Sequence, residues 1–203
     1  MRDPGNIQEI VLAMPDFIGF IFYPKSKRFV GAEFSAEVLK IVPEPVKKVG
    51  VFVDEPSNKV IVTCQQLGLE VTQLHGSESP EYCRQVQQSG LTVFKAFSVD
   101  DQFDFEKLNV YSGVCDYFLF DTKGNVPGGT GQKFNWQLLQ NYRGDVPFFL
   151  SGGIGPEDVK AIRHFGHPRW CGLDINSGFE IEPALKDAAK VQKFIKEIRN
   201  IQC

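Results

Sequence analysis

At 203 residues, with 42% hydrophobic and 23% charged side chains, the chain has the make-up of one globular domain spanning residues 1–203, not of a disordered or fibrous protein. A net charge of −3 argues against a nucleic-acid partner and requires any anion site to be local. No apolar run is long enough to cross a bilayer and no signal segment leads the chain, so the expected setting is the cytoplasm without a membrane partner; five scattered cysteines with no CxxC pair agree.

Residues 3–14 open the chain with a helix pattern, Asp3 and Asn6 being cap types and Pro4 suiting the first turn. Strand patterns follow at 17–23, 47–53, 70–76, 91–98, 116–122, 146–153 and 169–178, several of them near-continuous apolar runs of the kind buried on both faces of a parallel sheet. Helix patterns lie between them at 34–42, 55–69, 77–90, 100–113, 134–142 and 155–166, and a last one covers 184–201. Ser35 and Ser79 are candidate caps, Pro80 a first-turn proline, and Gly68 and Gly90 stops. His164 and His167 flank a turn at Gly166 and form no metal set with the cysteines.

Strict alternation of strand and helix predicts right-handed crossovers and a parallel sheet, either doubly wound or closed as a (β/α)8 TIM barrel. The count is seven strands and eight helices, so on periodicity the barrel's first β-strand is missing from this chain. An open or locally disordered barrel is then expected beside residues 1–16, or another segment filling the gap.

In either closure the chemistry belongs at the C-terminal ends of the strands. Two such ends, Ser151-Gly152-Gly153 and Asn176-Ser177-Gly178, are small-residue turns that could expose backbone N–H groups to a phosphate, or could simply be tight turns. Asp121 closes an apolar strand, surroundings that favour the proton-donating form of a carboxyl; it reads equally as a turn aspartate. Arg28, in "YPKSKR", could fork onto a substrate carboxylate, orient an active-site group, or lie in a solvated basic loop, and His75 could touch substrate or satisfy a backbone carbonyl. The glycine-rich stretch 124–131 suits a loop that covers a site, or a connector.

Taken together, "GFIFYPKSKR", "VGVFVDE", "TQLHG", "FLFDTKGNVPGGTGQKFNW", "LSGGIGPEDV" and "LDINSGFE" resemble the phosphoribosylanthranilate isomerases of tryptophan biosynthesis over nearly the whole chain. The resemblance implies a cofactor-free and metal-free Amadori rearrangement of N-(5'-phosphoribosyl)anthranilate to 1-(2-carboxyphenylamino)-1-deoxyribulose 5-phosphate. It implies Asp121 as general acid. Arg28, His75, Gly152, Gly153, Asp174, Asn176, Ser177 and Gly178 would bind the phosphorylated substrate, with Glu180 a further acidic match, and the protein would be a monomer or homodimer. The family's general base is a cysteine at the end of strand one; none of Cys64, Cys83, Cys115, Cys171 and Cys203 falls at a strand's C-terminal end, so impaired turnover is expected. The alternatives are a non-catalytic phosphate-binding relic of the family and another sugar-phosphate barrel enzyme.

Overall fold

A computed structural model describes residues 1–122 and 135–200. Helix α1 (Pro4–Val11) starts where Asp3 caps it, its carboxylate accepting from the Asn6 N–H at 2.7 Å. Seven parallel strands follow: β1 (Phe17–Ile21), β2 (Lys47–Phe52), β3 (Val71–Leu74), β4 (Thr92–Val99), β5 (Tyr117–Thr122), β6 (Phe148–Leu150) and β7 (Trp170–Leu173). They pair in chain order, which is the order of a barrel wall, and β1 and β7 are the two edges of this sheet among the described residues. The predicted open edge lies between them.

Helices α2 (Ala36–Leu39), α3 (Ser57–Leu67), α4 (Pro80–Gln88), α5 (Val159–His164) and α6 (Ala188–Arg199) make the crossovers and the close of the chain. Ser79 caps α4 by accepting from the Tyr82 N–H, and Gly68 ends α3 in the left-handed conformation. The sequence expectation fails in four helices. The helix at 34–42 shrinks to four residues, with no side-chain bond from Ser35, because Pro43 disfavours helix in the residue before it. The patterns at 100–113 and 134–142 form 3-10 helices, Phe105–Tyr111 and Trp136–Asn141. Their caps, Asp104 and Asn135, accept from the N–H groups of Glu106 and Gln137, two residues on. At 184–201 the helix begins only at Ala188, where Asp187 caps it, and residues ahead of it form a short antiparallel hairpin, β8 (Glu180–Glu182) with β9 (Leu185–Lys186).

Side chains alternate across each strand, so every second residue faces the barrel axis. At the N-terminal end the inward positions are an aromatic plug: Phe94 stacks on Phe149 with ring centres 5.1 Å apart and meets Phe17 edge-on at 5.2 Å and Tyr117 at 4.9 Å. Such pairs contribute about 0.5–1.5 kcal/mol each beyond area burial and close the bottom of the barrel. Larger layers of Phe20, Phe52, Phe118, Phe120 and Phe148 pack outward, beneath the helices. The first helix is clasped to the hairpin that precedes the last one. Asn6 donates from Nδ2 to the Lys186 carbonyl at 2.8 Å and accepts the Lys186 N–H on Oδ1 at 2.7 Å. Asn6 therefore works inside α1 as a tie, not as the cap its residue type suggested. No helix among the described residues is long and apolar enough to cross a membrane.

Candidate active site

Two residues beyond an inward position, the same face of the strand points inward again. Val71, Gln73 and His75 therefore climb one wall of the barrel, and Tyr117, Leu119 and Asp121 the next but one. The tops of these ladders, with Ser151 after β6 and Asp174 after β7, line a cavity of about 550 Å3 at the C-terminal ends of the strands.

Asp121 is 6% exposed. Its Oδ1 accepts the Thr122 N–H at 2.8 Å, and its Oδ2 lies 3.2 Å from His75 Nε2. His75 stands on a loop pinned from beneath. Lys95 of β4 donates to the carbonyls of Leu74, Gly76 and Ala96 at 2.7–3.2 Å and pairs with Glu78 at 3.1 Å. Glu78 in turn accepts the N–H groups of Asp54 and Gly76. Gly76 has to be glycine: a Cβ there would stand 2.6 Å from Asp54 Cγ.

Asp174 continues β7, its N–H bonded to the Leu150 carbonyl and its Oδ2 accepting from Ser151 Oγ at 3.0 Å. Desolvation inside the barrel pushes its carboxyl above the usual carboxylate range, and the nearby Asp121 charge adds to this against the Ser151 bond.

The two predicted turns meet. Gly152 and Gly153 are both left-handed, at φ 86° and 66°. A Cβ on Gly152 would lie 2.7 Å from Asp121 Oδ1, and one on Gly178 would run into the Ile154 carbonyl. The turn after β6 thus touches both the carboxylate and the turn after β7. The backbone N–H groups of Gly152, Gly153, Ser177 and Gly178 have no hydrogen-bond partner among the described residues. Gly152→Ala is expected to cost about 1–3 kcal/mol, since it adds left-handed strain and a contact with the carboxylate. Gly166→Ala, where a Cβ meets nothing within 4 Å, is the control. Equal melting temperatures for the two variants would refute this account.

Arg28 spends its fork on Glu180: Nε reaches both carboxylate oxygens at 2.9 Å and Nη2 reaches Oε2 at 2.6 Å. Lys186 donates to the other side of Glu180 at 2.8 Å and to Asn176 Oδ1 at 2.5 Å. Burial acts against the Glu180 charge, but the Arg28 bonds and the Lys186 charge outweigh it and hold its pKa at about 2. For Lys186 burial prevails and moves its ammonium below the ordinary lysine range. Lys186 was hidden from sequence reasoning inside an assumed helix; Asp187 as a cap type was the signal that the helix starts after it.

Cys64, Cys83 and Cys115 are buried among packing residues, and Cys171, on the open edge of β7, is pushed up to about 11 by burial. Cys203 and the stretch 124–131 lie outside the described residues. Among the described residues no three His, Cys, Asp or Glu side chains group to hold a metal ion.

The family model described as N-(5'-phosphoribosyl)anthranilate (PRA) isomerase matches residues 2–197. The N-(5'-phosphoribosyl)anthranilate isomerase of Phocaeicola vulgatus is 46% identical over 98% of this chain and 95% of its own. A monomeric form of the dimeric isomerase of Thermotoga maritima superposes with a TM-score of 0.82 at 31% identity, covering 98% of this chain and 95% of that one. A second solved phosphoribosyl anthranilate isomerase, in complex with reduced 1-(o-carboxyphenylamino)-1-deoxyribulose 5-phosphate, gives 0.82 at 30% identity over the same shares.

Proposed function

The chain belongs to the N-(5'-phosphoribosyl)anthranilate isomerase family, and we propose that it converts N-(5'-phosphoribosyl)anthranilate to 1-(2-carboxyphenylamino)-1-deoxyribulose 5-phosphate in tryptophan biosynthesis, with Asp121 as general acid. The fold is of the family's (β/α)8-barrel class. The relatives' shared name gives no support to the relic alternative or to another sugar-phosphate reaction, and it lends none to the expectation of impaired turnover.

The observation that carries the acid role is the setting of Asp121. It is nearly enclosed at the top of the barrel and has two hydrogen-bond neighbours among the described residues, Thr122 N and His75 Nε2, around the carboxylate that remains once its proton has gone. The proton goes to the ring oxygen of the furanose. The C1'–O bond then breaks, its electron pair stays on that oxygen, and the anthranilate nitrogen lone pair completes an iminium. Loss of the C2' proton to a base gives the enolamine, which tautomerises to the ketone. The resemblance gives that base to a cysteine. None of the described cysteines is placed for it, so the described residues supply the acid and the substrate cradle.

The phosphate would rest on the N–H groups of Gly152, Gly153, Ser177 and Gly178, which no described residue occupies, with Asn176 and Lys186 behind them. Arg28, its Nε and Nη2 held by Glu180, would offer Nη1 to the substrate. Asp174 and His75 would complete the wall around the sugar. A phosphorylated small molecule is the only partner this site requires; a monomer or homodimer, a cytoplasmic setting and no nucleic-acid partner complete the reading. The test is incubation with N-(5'-phosphoribosyl)anthranilate. A new ketone carbon in the 13C spectrum supports the assignment, and substrate that decays only at the buffer rate, despite binding, overturns it.

A further inference from the structure

Gln73 is a polar group on the inner wall that the proposed chemistry leaves unused. It lies in the middle of β3, is 8% exposed, and faces the axis directly below His75. Its Nε2 is 2.9 Å from His75 Nδ1, while Nε2 of the same imidazole is 3.2 Å from Asp121 Oδ2. An amide nitrogen can only donate, so Nδ1 must accept, and a neutral imidazole whose Nδ1 accepts carries its hydrogen on Nε2. That hydrogen points at Asp121.

We propose that Gln73 is a positioning residue that locks His75 in its Nε2–H tautomer, so that a donor faces the Asp121 carboxylate. This rests on the acid reading of Asp121. The carboxylate appears as the acid gives its proton to the ring oxygen, and the donor strengthens its hold as that charge develops. In the opposite tautomer a lone pair would face the carboxylate, leaving the Thr122 N–H as its one donor among these contacts. No proton leaves His75 in this scheme. Gln73 acts through the ring and does not touch substrate.

Gln73→Met keeps the length and removes the donor. Gln73→Glu puts an acceptor opposite Nδ1 and draws a hydrogen onto it. The test is 15N NMR of the imidazoles, with the His75 signals identified by their loss in His75→Asn, together with steady-state kinetics. The parent protein is expected to show His75 protonated on Nε2 alone, Gln73→Met a mixture of tautomers, and Gln73→Glu a protonated Nδ1. A hydrogen bond to a charged group is worth roughly 10- to 100-fold in rate, so kcat should fall by about that much in both variants with KM little changed. A parent spectrum with hydrogen on Nδ1, or unchanged kcat in Gln73→Met, overturns the proposal. If the spectra follow expectation but Asp121→Asn is fully active, the acid reading falls and the tautomer assignment stands.

Discussion

Replacing Asp121 with Asn is expected to lower kcat by about 10²–10⁴-fold while the protein stays folded and still binds the product analogue. The amide has the carboxyl's shape and can still accept the Thr122 N–H now bonded at 2.8 Å, so the top of β5 should hold and any adjustment fall on the His75 ring, whose Nε2–H would then face the amide NH2. It has no acidic proton to give. Ring opening then depends on water as the acid, in a site where the carboxyl had been fixed beside the substrate. Binding rests on other residues, chiefly the two glycine turns and the Arg28–Glu180–Lys186 cluster, so the affinity for reduced 1-(o-carboxyphenylamino)-1-deoxyribulose 5-phosphate should change only a few-fold. Calorimetric titration with that compound, beside the rate, separates the two effects. A kcat within a few-fold of the parent would remove Asp121 from the mechanism; a lost binding signal would show that the variant disturbed the cradle.

Glu180→Gln is expected to be the most damaging single change to stability, about 3–5 kcal/mol. Glu180 is the common anion of two enclosed cations, with side-chain exposures of 14% for Arg28, 10% for Lys186 and 5% for Glu180 itself. The amide would leave two positive groups facing each other with only the Asp174 charge acting on Lys186 in its place. For a chain of this size that is a fall in melting temperature of roughly 10 °C. The sign of the acid dependence follows from the same group. Its folded pKa of about 2 lies below the ordinary 4.5, so its contribution is complete above about pH 4.5 and is lost as the pH falls toward 2. The parent should therefore lose stability over that window more steeply than Glu180→Gln, and urea titrations at pH 6, 4 and 3 measure the difference. Parallel pH profiles would show that the pair contributes nothing. Replacing Arg28 and Glu180 together by Met should recover part of the loss, since the uncompensated charge goes with its partner.

Much of the site was legible because strand ends are legible. Asp121 follows a run of apolar strand residues, and the two glycine turns follow two more, so the alternation of strand and helix placed all three at one rim without coordinates. Their contacts were not legible. That Gly152 abuts the Asp121 carboxylate depends on how far β6 is staggered against β5, and sequence spacing carries no stagger. Arg28 stood out as a possible fork, but its partner Glu180 is 152 residues away. The hairpin that sets Glu180 opposite Lys186 is too short for any periodicity to reveal. Gln73 was passed over for a related reason: one amide in a four-residue, wholly buried strand reads as strand content until its neighbour is seen. The 3-10 helices were missed because cap residues announce where a helix starts and say nothing of how tightly it winds.

The clasp between Asn6 and Lys186 joins residues 180 apart, almost the whole contour of the chain. A contact of that span carries a large loop-closure entropy and gains little until the strands between are already paired. In kinetic terms it belongs to the end of folding, after the local crossovers. Lys186 is also the residue that holds Asn176 and Glu180 in place, so the phosphate cradle would be completed by that final closure and not by the pairing of its own strands. A partly folded chain could then have most of its sheet and still offer no ordered anion site, which ties competence for substrate to completion of the ring.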